Sequence, residues 1–381
     1  MKKGMIFIVL LGLLAASWPL PSAAAELPVR AEAAVLMEKT TGRVLWAKNE
    51  HKPLEPASVT KVMTLLLVME AVDSGRISCD DMVTASAYAA SMGGSQVYLK
   101  QGEQMTVGEL LKAVCIASGN DAAVALAEYH SGVTELFVAE MNRRAAELGM
   151  KDTHFVNCTG LPAAGHVTSA YDIALMSREL ILHHPSLRQY TATWMDTLRD
   201  GAFQLANTNK LIRFYDGATG LKTGSTDGAG YCISATAERD GMELIGVILK
   251  GKTSDERFED AKTLLNYGFS TYCLRPVDTS AELPAVAVKL GAAETVQPVL
   301  PAELPSVLVE KSRAGTLTQM VELPDSVAAP LTAGQQIGTM QVCAGEEVVL
   351  TVPLCADRDV AKLRWRDVWR KLLTMTALHG E

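Results

Sequence analysis

Between Ser58 and Ala71 the chain reads SVTKVMTLLLVMEA, a stretch of helical length that is apolar on nearly every side. A surface helix carries one apolar stripe, whereas a helix apolar all round must be surrounded by protein. The chain therefore has to build layers on every side of this segment. The helix also carries a hydroxyl, Ser58, and an amine, Lys61, at its first turn, three residues apart and so on one face. A buried lysine is disfavoured in its charged form, and the positive end of a helix disfavours it further. Packing the segment thus presents a deprotonated amine beside a serine, with unpaired backbone N–H groups nearby that can stabilise an oxyanion.

An isolated S-x-x-K is equally readable as an N-cap serine and a solvated lysine. Two further segments change the weight. Ser118-Gly119-Asn120 follows a helix announced by the capping box Thr106/Glu109, with Met105 and Leu110 placed as a hydrophobic staple, and precedes another from Asp121 to Glu128. The triplet thus falls on a tight connection between helices, where side chains can enter a cleft. Ser118 can relay a proton, and the Asn120 amide can bind a peptide carbonyl and orient Lys61. Lys222-Thr223-Gly224 opens a strand region: Gly230 to Ala237 and Met242 to Leu249 read as a pair joined at Asp240-Gly241. Lys222 offers a fixed positive charge, Thr223 a donor, and Gly224 room for a substrate backbone. Arg257, on a capped amphipathic helix from Thr253 to Asn266, can clamp a carboxylate or form a surface ion pair with Glu256 or Asp260.

S-x-x-K, S-x-N and K-T-G in this order resemble the set used by serine acyl-transfer enzymes of the penicillin-recognising class. With Pro56-Ala57, Ser91-Met92-Gly93-Gly94-Ser95, Asn157 to Pro162 and His166 to Asp172, the chain resembles the low-molecular-mass penicillin-binding proteins of the serine D-alanyl-D-alanine carboxypeptidase type, over roughly 31–269. The resemblance implies an α/β fold of β-lactamase/transpeptidase type: a mainly antiparallel sheet flanked by helices, with a helical subdomain carrying the S-x-N loop. It implies Ser58 as nucleophile, Lys61 as base, Ser118 and Lys222 as proton relay, and the N–H groups of Ser58 and Ser225 as oxyanion hole. Arg257 is implied as a carboxylate partner. The substrate would be a peptidoglycan stem peptide, with β-lactam antibiotics as covalent inhibitors. No metal or cofactor is expected. Ser225 stands where some relatives carry histidine, and His166 reads as structural because a lysine base requires no histidine. A serine β-lactamase would need a fast deacylating base, and no such glutamate motif is evident. A non-catalytic wall-binding protein on the same fold is the other alternative.

The remaining sequence sets the frame. The first strands are expected at Ala34–Met37 and Arg43–Trp46. From Val277 to about Ala356, short alternating runs punctuated by prolines predict a small all-β, sandwich-like domain. The expected divisions are a signal peptide over 1–25, a catalytic domain over 26–276, the β domain over 277–356 and an amphipathic membrane-surface helix over 357–381. Lys2-Lys3, an apolar run from Met5 to Ala16 and Ala23-Ala24-Ala25 form the export pattern, a single membrane anchor being the alternative. The location expected is the outer face of the cytoplasmic membrane or the wall space. In the tail Ala361, Trp365, Val368, Trp369, Leu372 and Met375 share a helical stripe flanked by arginines, suiting a membrane surface or docking onto the chain's own domains. A net charge of −8 over 381 residues argues against nucleic acid as a partner. The seven cysteines are irregularly spaced, unlike a disulfide framework or a zinc site, with Cys343 and Cys355 the one pair considered for a bridge.

Overall fold

The computed structural model describes residues 26–366 except 281 and 303, together with 368 and 369. The expected signal segment lies outside the described residues. Strand β1 (Ala33–Glu38) turns through Gly42 into β2 (Val44–Lys48), giving the predicted hairpin. Helix α1 (Lys61–Asp73) follows a 3-10 turn at Ala57–Thr60. Next come α2 (Val107–Lys112), α3 (Asn120–Ser131), α4 (Thr134–Glu147) and α5 (Ala170–His183). The chain then returns to the sheet with β3 (Ala218–Thr226), β4 (Gly230–Arg239) and β5 (Met242–Gly251) before α6 (Ser254–Thr271).

The five strands form one antiparallel sheet ordered β2-β1-β5-β4-β3. Because side chains alternate across a strand, β1 sends Ala33, Val35 and Met37 to the cluster containing α1, and Ala34 and Leu36 to the cluster beneath α6. Both faces are covered, so all six residues of β1 are buried. On the first face α1 is enclosed between the sheet and the helical subdomain, as its all-round apolar sequence requires. Arg144 on α4 ties that subdomain to its neighbours by pairing with Glu70 of α1 at 2.7 Å and Glu179 of α5 at 2.6 Å.

The capping box before α2 forms as expected. The helix does not continue as α to Ala117: after Lys112 the turn widens into a π-helix over Ala113–Ala117, and the Gly119 amide reaches back to the Ala113 carbonyl at 3.2 Å. Such widening delivers Ser118 in the left-handed conformation, φ +62°.

Strand β6 (Tyr272–Arg275), just before the expected boundary at 277, pairs with β8 (Val307–Glu310) beyond β7 (Val286–Lys289). The region is all-β, as expected, and its largest sheet contains β9 (Leu317–Glu322), β10 (Gln336–Ala344) and β11 (Glu347–Ala356). Its register excludes the Cys343–Cys355 bridge. Cys343 faces Val348 and Cys355 faces Gln336. Seven residues of strand separate the two by roughly 23 Å, whereas a disulfide needs Cα atoms within about 7 Å. All seven cysteines are free thiols.

The segment expected to begin the tail helix is instead extended. Val360 exchanges backbone bonds with Leu331, and Leu363 donates to Leu290 at 2.8 Å. Ala361, placed on the helical stripe from sequence, belongs to this strapped segment, its carbonyl accepting from Ala292. A helical bond begins only at Arg364, whose carbonyl accepts from Val368. Trp365 and Trp369 are 82% and 63% exposed and do not dock on the described domains; the expected helix beyond 369 lies outside the described residues. Among the described residues no helix is long and apolar enough to cross a membrane.

Candidate active site

Ser58 and Lys61 lie at the join of the 3-10 turn and α1. Residues three apart eclipse one another in a 3-10 turn, so the hydroxyl and the amine stack more directly than on the α-helix the sequence suggested. Ala57, just before, is held at φ +48°, an uncommon conformation for a residue with a Cβ, and it turns the chain sharply into the helix. Lys61 is fully buried; its Nζ donates to Asn120 Oδ1 at 2.6 Å and the Thr159 carbonyl at 2.8 Å, and lies within hydrogen-bond distance of Ser58 Oγ at 2.9 Å. Burial, and secondarily the positive Lys222, hold its pKa well below the usual lysine range. The partner set decides where the lone pair goes. Two of the three contacts can only accept, so the two hydrogens of the neutral amine serve them, and the lone pair faces the one partner able to donate, the Ser58 hydroxyl.

Ser118 is buried, and its Oγ has no hydrogen-bond partner among the described residues. Such a hydroxyl in a polar cleft is available to a reacting group. Asn120 accepts from Lys61 through Oδ1 and donates through Nδ2 to the Gly93 carbonyl at 2.7 Å, while its backbone amide donates to Ser95. Asp121 clips the same loop by accepting from the amides of Val97 and Leu99. Gly94 has φ +78°, a conformation that suits glycine, and a Cβ there would lie 2.9 Å from Asn120 Nδ2, so a larger residue would press on the Asn120 side chain.

Strand β3 is an edge strand, with no strand beyond it among the described residues to pair its outer side. Lys222 is buried, donates to the Thr223 carbonyl at 2.9 Å, and has its pKa lowered to about 7, chiefly by burial. Thr223 Oγ1 donates to Thr208 Oγ1 at 2.7 Å. At Gly224 the strand passes so close to the 3-10 turn that a Cβ would lie 2.6 Å from the Ser58 amide nitrogen and 2.9 Å from that of Val59. Ser225, exposed, follows directly.

Arg257 forms no ion pair with Glu256 or Asp260; Asp260 instead accepts from Ala31 and Arg30. Its guanidinium is buried, donates to the carbonyls of Gly224 and Cys232 at 3.2 Å each, and packs near the rings of Phe258 and Tyr231. Burial lowers its pKa to about 10, which leaves it charged at neutral pH. It therefore adds positive potential behind β3 at Gly224.

Three stretches separated by about a hundred and sixty residues are thus assembled at one place. Sequence reasoning did not find the Thr159 carbonyl, the Gly93 carbonyl or Gly160, whose hypothetical Cβ would fall 1.8 Å from the Ala57 carbonyl oxygen. Backbone acceptors leave no residue-type signature. The Asn157–Pro162 stretch was visible, and Asn157 Oδ1 organises it by accepting from the amides of Thr159 and Gly160. His166 is structural in its contacts: Nδ1 accepts from the Val156 amide, which leaves Nε2–H to donate to Thr60 Oγ1 at 2.8 Å. Among the described residues no cluster of three or more His, Cys, Asp or Glu side chains is arranged to hold a metal ion.

Comparison with known proteins matches residues 21–253 to the family described as D-alanyl-D-alanine carboxypeptidase, and residues 276–362 to the C-terminal domain of penicillin-binding protein 5. The chain is 44% identical over 342 residues to the D-alanyl-D-alanine carboxypeptidase DacF of Bacillus subtilis, covering 88% of this chain and 87% of that protein. It is 35% identical over 321 residues to DacC of Escherichia coli, with 82% and 80% covered. The crystal structure of penicillin-binding protein 5 from Haemophilus influenzae superposes with a TM-score of 0.79 at 29% identity, covering 88% of this chain and 98% of that one. Penicillin-binding protein D2 of Listeria monocytogenes, solved with ampicillin bound, superposes with a TM-score of 0.59 at 36% identity, covering 64% of this chain and 99% of that one. The chain therefore belongs to the D-alanyl-D-alanine carboxypeptidase family of serine peptidases, within the low-molecular-mass penicillin-binding proteins.

Proposed function

We propose that this protein removes the terminal D-alanine from peptidoglycan stem peptides through an acyl-enzyme on Ser58, and that β-lactams acylate the same oxygen. The observation that carries the reading is the Lys61 amine, fully buried, 2.9 Å from Ser58 Oγ and fixed by two carbonyl acceptors. In acylation Ser58 Oγ bonds to the carbonyl carbon of the penultimate D-alanine while its proton passes to Lys61 Nζ. The C–N bond to the terminal D-alanine then breaks, and the leaving nitrogen takes a proton through Ser118. Water hydrolyses the ester by the same route in reverse, releasing the shortened peptide and restoring the Ser58 hydroxyl.

Substrate binding follows from the same geometry. An extended peptide laid along the free edge of β3 can add a strand, its backbone pairing beside Gly224 and with the Asn120 amide. The N–H groups of Ser58 and Ser225 serve as the oxyanion hole. Lys222, Thr223 and Arg257 supply the positive and donor environment for the terminal carboxylate, whose own charge stabilises the ammonium form of Lys222 once bound.

The export signal over 1–25, residence on the outer side of the cytoplasmic membrane, and peripheral anchoring by the tail belong to the same proposal. So does the division into 26–276, 277–356 and 357–381. The exposure of Trp365 and Trp369 supports a tail that faces a bilayer.

Mass spectrometry after penicillin exposure tests the chemistry. One adduct is expected, on the peptide containing Ser58, and Ser58→Ala should lose both the adduct and D-alanine release. An adduct elsewhere, or D-alanine release by Ser58→Ala at the parent rate, refutes the assignment of the nucleophile.

A further inference from the structure

The turn after β7 puts Leu290 where folding alone gives leucine no advantage. Its side chain is 66% exposed, and its backbone is left-handed, φ +56°. A leucine there carries the steric penalty of its Cβ and has no polar side chain to bond locally, as asparagine would. The turn is also the site where the chain end is strapped down. The Leu290 carbonyl accepts from Leu363 at 2.8 Å, Gly291 bridges Lys362, and Ala292 donates to Ala361. Just inside, Val360 is buried in a small core with Val288 and Leu331. Trp365 follows Leu363 by two residues, so its Cα lies within roughly 7 Å of that of Leu363.

We propose that the Leu290 turn is itself part of the membrane-docking surface, inserting its leucine into an anionic bilayer beside Trp365 and Trp369. The inference rests on the reading of the tail as a membrane anchor and extends it from a tether to a mount with a fixed orientation. Charge favours that occupant. Lys289 and Lys362 are exposed around the turn, and Arg364 and Arg366 follow, in a chain whose net charge is −8. The acids nearby are Asp357 and Asp359, which accept from the amides of Gln297 and Ala333, and Glu294 at the far end of the turn, so the lysines and arginines outnumber them. A basic rim around an exposed apolar centre suits anionic headgroups over an acyl layer.

The test measures binding of the full chain to vesicles of phosphatidylglycerol and phosphatidylcholine, together with thermal unfolding. Leu290→Asn relieves the left-handed strain, so its melting temperature should equal or exceed the parent's, while its partition to vesicles should fall about tenfold, the value of a partly inserted leucine. Leu290→Gly should behave alike. Parent-like binding by both variants overturns the proposal. The tail reading is separately scored by Trp365→Ala with Trp369→Ala: if that chain loses binding while the Leu290 variants keep it, the tail anchors and the turn does not. If the parent fails to bind vesicles at all, both readings fall.

Discussion

Gly224→Ala tests the architecture of the cleft without touching a reactive side chain. The added methyl would sit 2.6 Å from the Ser58 amide nitrogen, against the 3.4 Å at which ordinary contact begins, so β3 and the 3-10 turn must part by about 0.8 Å. Neither side yields easily. The strand is held by its ladder to β4, and the turn by Gly160 packed against Ala57. Displacement near 1 Å at a reacting centre costs about 10²-fold in rate, and losing one oxyanion donor costs about 10² to 10³-fold in kcat. The second-order rate of acylation by a fluorescent penicillin should therefore fall about 10² to 10³-fold. Overpacking should also cost about 1–3 kcal/mol of stability. Stopped-flow acylation, D-alanine release and thermal unfolding measure the three effects. A variant that acylates within about threefold of the parent would show that the contact between β3 and the turn does not set the chemistry, and the oxyanion assignment to Ser58 and Ser225 would fall with it.

Other outcomes follow from the buried cations and the packing around them. Lys61 must be neutral to accept the serine proton, so kcat/KM should decline as pH falls through its lowered pKa, and Lys61→Arg should abolish acylation although charge is kept. Lys222, whose pKa is lowered to about 7, must be protonated to hold a carboxylate. In peptide hydrolysis kcat/KM should therefore show a limb that falls above about pH 7, absent from Lys222→Gln and moved upward in kcat, where bound substrate stabilises the ammonium. Identical limbs in parent and variant would contradict that role. His166→Ala strands the Thr60 hydroxyl and the Val156 amide, so stability should drop by about 2–5 kcal/mol while penicillin still labels the folded fraction. The His166 pKa is depressed to about 4 by burial. The imidazole therefore contributes nothing unfavourable above pH 6.5, and between 6.5 and about 4 it costs the parent up to roughly 3 kcal/mol as the unfolded chain gains a proton. That acid-side loss should be missing in His166→Ala. Gly160→Ala cannot fit a methyl beside the Ala57 carbonyl and should fail to accumulate folded protein, as read by labelling and melting.

Much of this was legible in the residues. The all-round apolar segment after Ser58 required enclosure, and enclosure lowers the pKa of Lys61 by the route argued from sequence alone. The capping box at Thr106 and Glu109 and the hairpin β1–β2 are local patterns and formed as written. The departures arise where distant chain sets local form. The 3-10 turn at Ser58 is met at close range by Gly160 and Gly224, and the Asn120 side chain just past the π turn by Gly94, contacts whose partners lie far along the chain. Propensity cannot register such contacts. The Cys343–Cys355 suggestion failed because pairing in a hairpin depends on register, which spacing in sequence does not reveal. Ala361 was misplaced because a helical period can be counted through residues that bridge another turn instead.

Helix α6 has Arg257 in its first turn, behind the cleft, and at its other end passes directly into β6, which pairs with β8 of the all-β region. Eighteen residues of helix make a strut of about 27 Å. A strut rooted at both ends transmits torque as well as distance. Under the proposed anchoring, whatever pose the all-β region takes would pass to the cleft through this helix, so the reach of the enzyme would be set by the length of its own frame and not by slack in a leash.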